Sequence, residues 1–200
     1  PLYSSAASDV YKRQVQDAYP PGSTFKMVTS LAALEAGIIN HRERIRCNGH
    51  IEVSNRKFHC WKRDGHGNVD LVKSLRESCD VYYYELAQKV GIEKIAEVAR
   101  ILGLGQSFDI EMSAVTSGLV PDKIWKQKAR SREWVVGDTV NSSIGQGYVL
   151  SSPLQLAVMI ARIASGNEIL PKLIKSVNGV EKEKIPDPLN LNENNLNLIR

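Results

Sequence analysis

At 200 residues and 42% hydrophobic content, the chain is long enough to bury one substantial core. Its net charge of +4 suits a surface near anionic lipid or cell wall, but separates few function classes. No run approaches the roughly 18 consecutive apolar residues of a membrane span, and no repeat or low-complexity block stands out apart from an Asn-rich tail.

In chain order, Pro1 to Gln14 is small and polar without periodicity, and it joins the rest abruptly near Val15. It has no charged segment followed by an apolar run, so it does not read as a signal peptide. It is expected to be foreign or unstructured, leaving residues 15–200 as the domain. A Pro21-Gly22 turn then leads into an apolar helix that ends at Gly37, a suitable residue just past a helix end. Ile51-Glu52-Val53 predicts a short strand, and His59 to Asn68 a loop rich in Gly and His. Asp70 is placed to cap a helix from Leu71 to Glu77. Further helices are expected over Val81–Val90, stopped by Gly91, and Glu93–Leu102, followed by Gly103. Ser107 to Thr139 reads as loop-rich. Ser152 as N-cap with Pro153 at the first helical position predicts a helix to Ser165, ended by Gly166-Asn167. Pro171 to Val177 alternates like a strand and is followed by an Asn178-Gly179 turn. Asn190 to Arg200 reads as the beginning of a helix.

The most informative residues are Pro21-Gly22-Ser23-Thr24-Phe25-Lys26. Positions three apart share a helix face, so the Lys26 amine lies within reach of the Ser23 hydroxyl. A serine nucleophile needs such an adjacent base, because a free hydroxyl is almost never ionised near neutral pH. Between Ser23 and Glu35 the only charge is Lys26, in a helix apolar enough to be buried on most sides. Burial without a partner would push its pKa below the usual value of about 10.4, which suits a base. A serine at a helix N-terminus also sets an attacked carbonyl oxygen near free backbone N–H groups. A Ser and a Lys three apart on a solvated face are common, so the apolar context carries the weight.

Tyr19-Pro20-Pro21-Gly22-Ser23-Thr24-Phe25-Lys26 resembles the nucleophile motif of class B penicillin-binding proteins. Ser78-Cys79-Asp80 matches their second motif, S-x-N/D. Trp125-Lys126, Trp134 to Thr139, Ile144 to Tyr148 and Ser152-Pro153-Leu154-Gln155 follow in the expected order. Asp at the second motif, with these strings, is most similar to the elongation or rod-shape transpeptidases. The resemblance runs from about Val15 to the end. It implies an α/β (α+β) fold of the transpeptidase and serine β-lactamase kind, a helical subdomain plus part of an antiparallel sheet. The third motif, K-T-G, is absent from these 200 residues. The chain is therefore expected to be a fragment cut before that motif, lacking the C-terminal strands and one wall of its active site, and inactive as it stands.

Cys47, Cys60, His66 and Cys79 form a second pattern, C-x12-C-x5-H-x12-C. Three thiolates and an imidazole would complete a tetrahedral structural zinc site. One disulfide plus a free thiol, or three unrelated small apolar residues, are the plainer readings; His59 and Asp64 are competing ligands. Rod-shape relatives carry a metal in this region, which favours zinc, and Cys79 lies between the two second-motif residues. Trp61 is a candidate substrate contact. Tyr82, Tyr83 and Tyr84 read as helix core, and Arg42, Arg44 and Arg46 as a solvated edge. Gly145-Gln146-Gly147 lacks the Lys-Ser/Thr of a phosphate loop and reads as a tight turn.

The resemblance implies acyl transfer on peptidoglycan stem peptides. Ser23 is the nucleophile and Lys26 its base; Ser78 relays the proton and Asp80 orients Ser78 and Lys26. No cofactor is needed for that chemistry. The implied partners are β-lactams, a SEDS-type glycosyltransferase and scaffold proteins of the elongation machinery. The implied location is the periplasmic face of a bacterial inner membrane, with the anchor outside this sequence. A penicillin-recognising hydrolase or sensor shares S-x-x-K but needs a water-activating group. A zinc-dependent nucleic-acid module fits poorly, since such modules are short and rich in Lys and Arg on their recognition elements.

Overall fold

The computed structural model describes residues 9–110, 112, 114–181 and 185–200. Its centre is helix α1 (Lys26–Glu35), entered through a tight 3-10 turn, Gly22–Phe25. Eight of the ten α1 residues are buried, as expected of a helix apolar all round. Two bonds at 3.0 Å close its end, from Gly37 N–H to the Leu34 carbonyl and from Ile38 N–H to the Ala33 carbonyl. Gly37 takes the left-handed φ of 64° that this closure requires.

The faces of α1 serve two cores. On one side Val28, Leu31 and Ala32 meet Ile95, Val98 and Ala99 of the helix Ile92–Ile101, with Met159, Ile163 and Leu196 nearby. On the other, Ala33 and Leu34 share a core with the cysteines, Val53, Val69, Val81, Tyr82, Tyr83 and Leu86. The elements building the second core are β1 (Ile45–Cys47), β2 (His50–Val53), β3 (Arg56–His59), β4 (Gly67–Val69), α2 (Leu71–Arg76) and α3 (Asp80–Val90). Helix α4 spans Ile92–Ile101, α5 Lys123–Arg130, α6 Val136–Ser143 and α7 Pro153–Ser165. The hairpin β5 (Ser176–Val177) and β6 (Val180–Glu181) precedes α8 (Glu193–Ile199), which packs back against α1.

The strands form three separate antiparallel ladders, β1–β4, β2–β3 and β5–β6. The β2–β3 register pairs His50 with His59 and Val53 with Arg56. Its two-residue turn, Ser54-Asn55, has positive φ at both positions, as a twisted hairpin prefers. β1, β3 and β4 form where the sequence marked no strand, and β4 takes up Gly67 and Asn68 at the end of the stretch expected to be loop.

Several boundaries follow the expected local chemistry. Asp70 accepts from Lys73 N–H at 2.9 Å and starts α2. Ser152 and Gln155 cap α7 reciprocally, with bonds of 2.9 and 3.2 Å. Gln155 is fully buried, and its amide donates to the Gln106 and Ser117 carbonyls, each at 2.8 Å. It thereby ties the α7 entry to the long connection before α5.

Three expectations need correction. The stretch Ser107–Thr139, expected to be loop-rich, holds α5 and the first half of α6. Asp122 caps α5 through Trp125 N–H at 2.7 Å, and Asp138 reaches back to Val135 N–H at 2.9 Å to start α6. Acidic caps therefore start helices in segments that hold few apolar residues. The strand expected over Pro171–Val177 is regular only at Ser176–Val177, where the Asn178-Gly179 turn lets it pair. Of the segment expected to be unstructured, Pro1–Gln14, residues 1–8 lie outside the described residues. Residues 12–14 belong to a helical turn, Lys12–Gln16, whose Val15 packs with Phe108, Ile110 and Val158.

Candidate active site

Ser23 sits in the first turn leading into α1, where backbone N–H groups have no helical partner. Backbone clamps hold that turn in place. Gly22 N–H donates to the Gly145 carbonyl at 3.0 Å, and Tyr19 exchanges two 2.9 Å bonds with Ser151. A Cβ on Gly145 would stand 2.4 Å from the Gly22 carbonyl oxygen, so this position has room only for glycine. The turn at Gly145-Gln146-Gly147 is thus the brace of the nucleophile turn.

Lys26, the first residue of α1, is 1% exposed. Its Nζ donates to Asp80 Oδ1 at 2.6 Å, to Ser78 Oγ at 2.8 Å and to the Ser78 carbonyl at 2.9 Å. The Tyr83 ring lies 5.5 Å away, adding a cation–π contact. Ser23 Oγ and Ser78 Oγ share a hydrogen bond at 2.8 Å. Among the described residues no hydrogen bond joins Ser23 to Lys26 directly; Ser78 connects them.

The buried lysine has a partner in Asp80. One detail differs from the sequence reading: Asp80 makes no hydrogen bond to the Ser78 side chain, and its second oxygen accepts from Trp61 N–H at 3.0 Å. Ser78 itself is held at a φ of +51°, a left-handed conformation that costs a non-glycine residue about 1–2 kcal/mol. Such strain gathers at functional positions, and here it aims both the hydroxyl and the carbonyl of Ser78 at Lys26.

These groups open onto a cleft of about 570 Å³ lined by Gly22, Ser23, Trp61, Ser78, Asn141 and Gln146, among others. Asn141 and Gln146 were not singled out individually from the sequence; α6 and the turn after it bring them across from the nucleophile. A hydroxyl pair, a buried cation and orphan N–H groups at one cleft suit a serine that attacks a carbonyl.

Behind this wall, Cys47, Cys60, His66 and Cys79 converge. All four are buried, and their ligand atoms lie within 4.8 Å of one another. His66 Nδ1 is 3.5 Å from Cys60 Sγ and 3.6 Å from Cys47 Sγ. Tetrahedral bonds of about 2.3 Å to sulfur and 2.0–2.1 Å to nitrogen set ligand atoms at that spacing. The three thiols are free rather than disulfide-bonded. The hydrogen bond between Cys60 and Cys79 lowers the Cys60 thiol below its usual range and raises that of Cys79. A thiolate is a ready cation ligand. His59 stands outside the group, tilted against His50 on the exposed hairpin, and Asp64 is exposed.

Fold and site together place a serine at a helix N-terminus, linked through a second serine to a buried lysine. The chain belongs to the penicillin binding protein transpeptidase domain family, whose profile matches residues 2–200. It is 36% identical over 191 residues to the peptidoglycan D,D-transpeptidase MrdA of Haemophilus influenzae, covering 94% of this chain and 29% of that protein. A crystal structure of Pseudomonas aeruginosa PBP2 in complex with WCK 5153 superposes with a TM-score of 0.87 at 34% identity, covering 95% of this chain and 44% of the other. The complex between PBP2 and MreC from Helicobacter pylori gives 0.86 at 34% identity, covering 99% and 37%. The chain thus spans less than a third of the length of its curated relative. No described helix is long and apolar enough to cross a membrane.

Proposed function

We propose that this chain carries the acylation centre of a peptidoglycan D,D-transpeptidase of the cell-elongation type. Ser23 Oγ attacks the carbonyl between the two terminal D-alanines of a stem peptide. Its proton passes through Ser78 Oγ to Lys26. The C–N bond breaks, the proton returns through Ser78 to the departing D-alanine amine, and an ester to Ser23 remains. The amine of a neighbouring stem then attacks the ester, gives up its proton along the same path, and releases Ser23 with a new peptide cross-link. Asp80 holds Lys26 against Ser78, and the free N–H groups at Ser23 face the developing oxyanion. β-Lactams mimic the dipeptide and trap Ser23.

The observation that carries this reading is the Ser23–Ser78–Lys26 chain of 2.8 Å bonds at the mouth of a cleft. The chemistry calls for no cofactor. Cys47, Cys60, His66 and Cys79 fit a zinc ion, whose part would be structural: by holding Cys79 it would fix the loop that sets Ser78 and Asp80. An elongation scaffold protein and a SEDS-type glycosyltransferase are the proposed partners, on the periplasmic face of the inner membrane. The complex with MreC formed by the H. pylori relative supports the scaffold.

The test is intact-mass analysis of the full-length gene product after benzylpenicillin treatment. The account expects one covalent adduct on the wild type, slow to disappear, and none on Ser23→Ala. Absence of an adduct on folded wild type would refute the assignment, and rapid loss with turnover would point to a hydrolase.

A further inference from the structure

Trp61 is 63% exposed, yet it is held from three sides. Its indole N–H donates to the Glu77 and Ser78 carbonyls, each at 3.1 Å, and its backbone N–H to Asp80. Its ring meets His66 edge-on at 5.3 Å. An aromatic face left in water but immobilised at its edge is a preformed contact surface, because its ordering entropy is already spent. It is also a partition. On one side lies the cleft with Ser23; on the other lies a second cavity of about 560 Å³, lined by Trp61, Lys62, His66, Arg76, Glu77 and Ser78. Trp61 and Ser78 are the two residues that line both.

Ser78 is the group through which, on the proposed reaction, the incoming amine loses its proton. A peptide with its amine at Ser78 stands at a residue that, like Trp61, lines both cavities. Two exposed cations, Lys62 and Arg76, stand there against one carboxylate, Glu77, which Arg76 touches at 3.3 Å and Lys73 at 4.0 Å. Lys62 has no ion pair among the described residues and Arg76 is shared with a single acid, so the cavity favours an anion.

We infer that this second cavity is the acceptor subsite: it takes the carboxylate-bearing part of the peptide whose amine resolves the Ser23 ester, with the Trp61 face as platform and Lys62 and Arg76 as carboxylate contacts. This rests on the acylation reading above and adds where the second substrate lies. A donor bound only in the Ser23 cleft does not use these cations, so acylation and aminolysis separate.

The experiment uses the full-length protein with Lys62→Glu, Arg76→Glu and the double variant, and Lys94→Glu on α4 as a charge control. Both target side chains are exposed, so folding is retained and is checked by thermal unfolding. Two quantities are read: the rate of Ser23 acylation by benzylpenicillin, and the partition of a thioester-derived acyl-enzyme between water and an acceptor peptide bearing both an amine and carboxylates. The double variant should raise the acceptor concentration for half-maximal aminolysis about tenfold or more, with an acceptor lacking carboxylates little affected. Its acylation rate should stay within about twofold, since no charge contact to the donor is removed. An unchanged half-saturating concentration, or equal losses for both acceptors, overturns the subsite. Failure of the wild type to acylate at Ser23 would instead remove the parent reading, and the subsite with it.

Discussion

Lys26 and Lys126 are both buried, and each is paired with an aspartate in the first turn of a helix. The Lys26–Asp80 contact is 2.6 Å and the Lys126–Asp138 contact 2.5 Å, so the pairs themselves scarcely differ. Their surroundings do. Lys26 directs its remaining N–H groups to Ser78, which in turn bonds Ser23 at the edge of a cleft. Lys126 lies 5.9 Å from the ring centres of Trp134 and Tyr148, while Asp138 caps the start of α6. A buried ion pair is therefore not by itself a sign of chemistry. On the proposed reaction, the hydroxyl chain and the open cleft set the Lys26 pair apart, whereas aromatic rings enclose the Lys126 pair. The Lys126 pair still serves the site, because α6 and the turn after it carry Asn141 and Gln146 to the opposite wall.

The comparison is broken most directly by removing each cation. Lys26→Met and Lys126→Met should each cost about 3–5 kcal/mol of stability, because each leaves an aspartate without its partner. Equilibrium urea unfolding measures this, and a loss well under 1 kcal/mol for either would end the parallel. A smaller effect is expected from Gly145→Ala. Its left-handed φ of 68° alone costs an alanine about 1–2 kcal/mol, and the clash with Gly22 adds to that. Because the strain falls on the nucleophile turn, Ser23 acylation should slow in molecules that remain folded. If zinc occupies the cysteine–histidine group, chelation should lower the melting temperature and the acylation rate together, as the Cys79 loop positions Ser78; loss of neither would show that the group works without metal.

The smallest effect concerns pH. Burial pushes the phenols of Tyr82, Tyr83 and Tyr84 above their usual range, that of Tyr83 to about 12. Groups whose folded pKa is raised add stability fully below about pH 10 and lose it as pH climbs towards 12. Denaturant midpoints should thus fall over that interval, less steeply in Tyr83→Phe. A flat profile would contradict the buried tyrosine cluster.

Much of the site was legible because its chemistry is local. Ser23 and Lys26 share one helix face, Asp70 and Ser152 announce their helices, and the spacing of Cys47, Cys60, His66 and Cys79 brings four donors together. What was not legible depends on contacts between distant segments. Nothing near Asp80 in the chain shows that it binds Lys26 and the Trp61 backbone but not the Ser78 hydroxyl. The helices that begin between Ser107 and Thr139 hold few apolar residues and are started by acidic caps and tied by the Lys126–Asp138 pair. The two-sided position of Trp61 follows from folding the cysteine lobe against α3, which no local pattern encodes.

The central claim is that Lys26, and not Lys126, drives Ser23 acylation. The most direct measurement is the second-order rate of benzylpenicillin acylation at Ser23, followed by intact mass, in wild type and in the folded fractions of Lys26→Met and Lys126→Met. The account predicts a fall of about 10²–10⁴-fold for Lys26→Met, the usual range for loss of a general base, with Lys126→Met within a few fold of wild type. Equal rates for the two variants would contradict it.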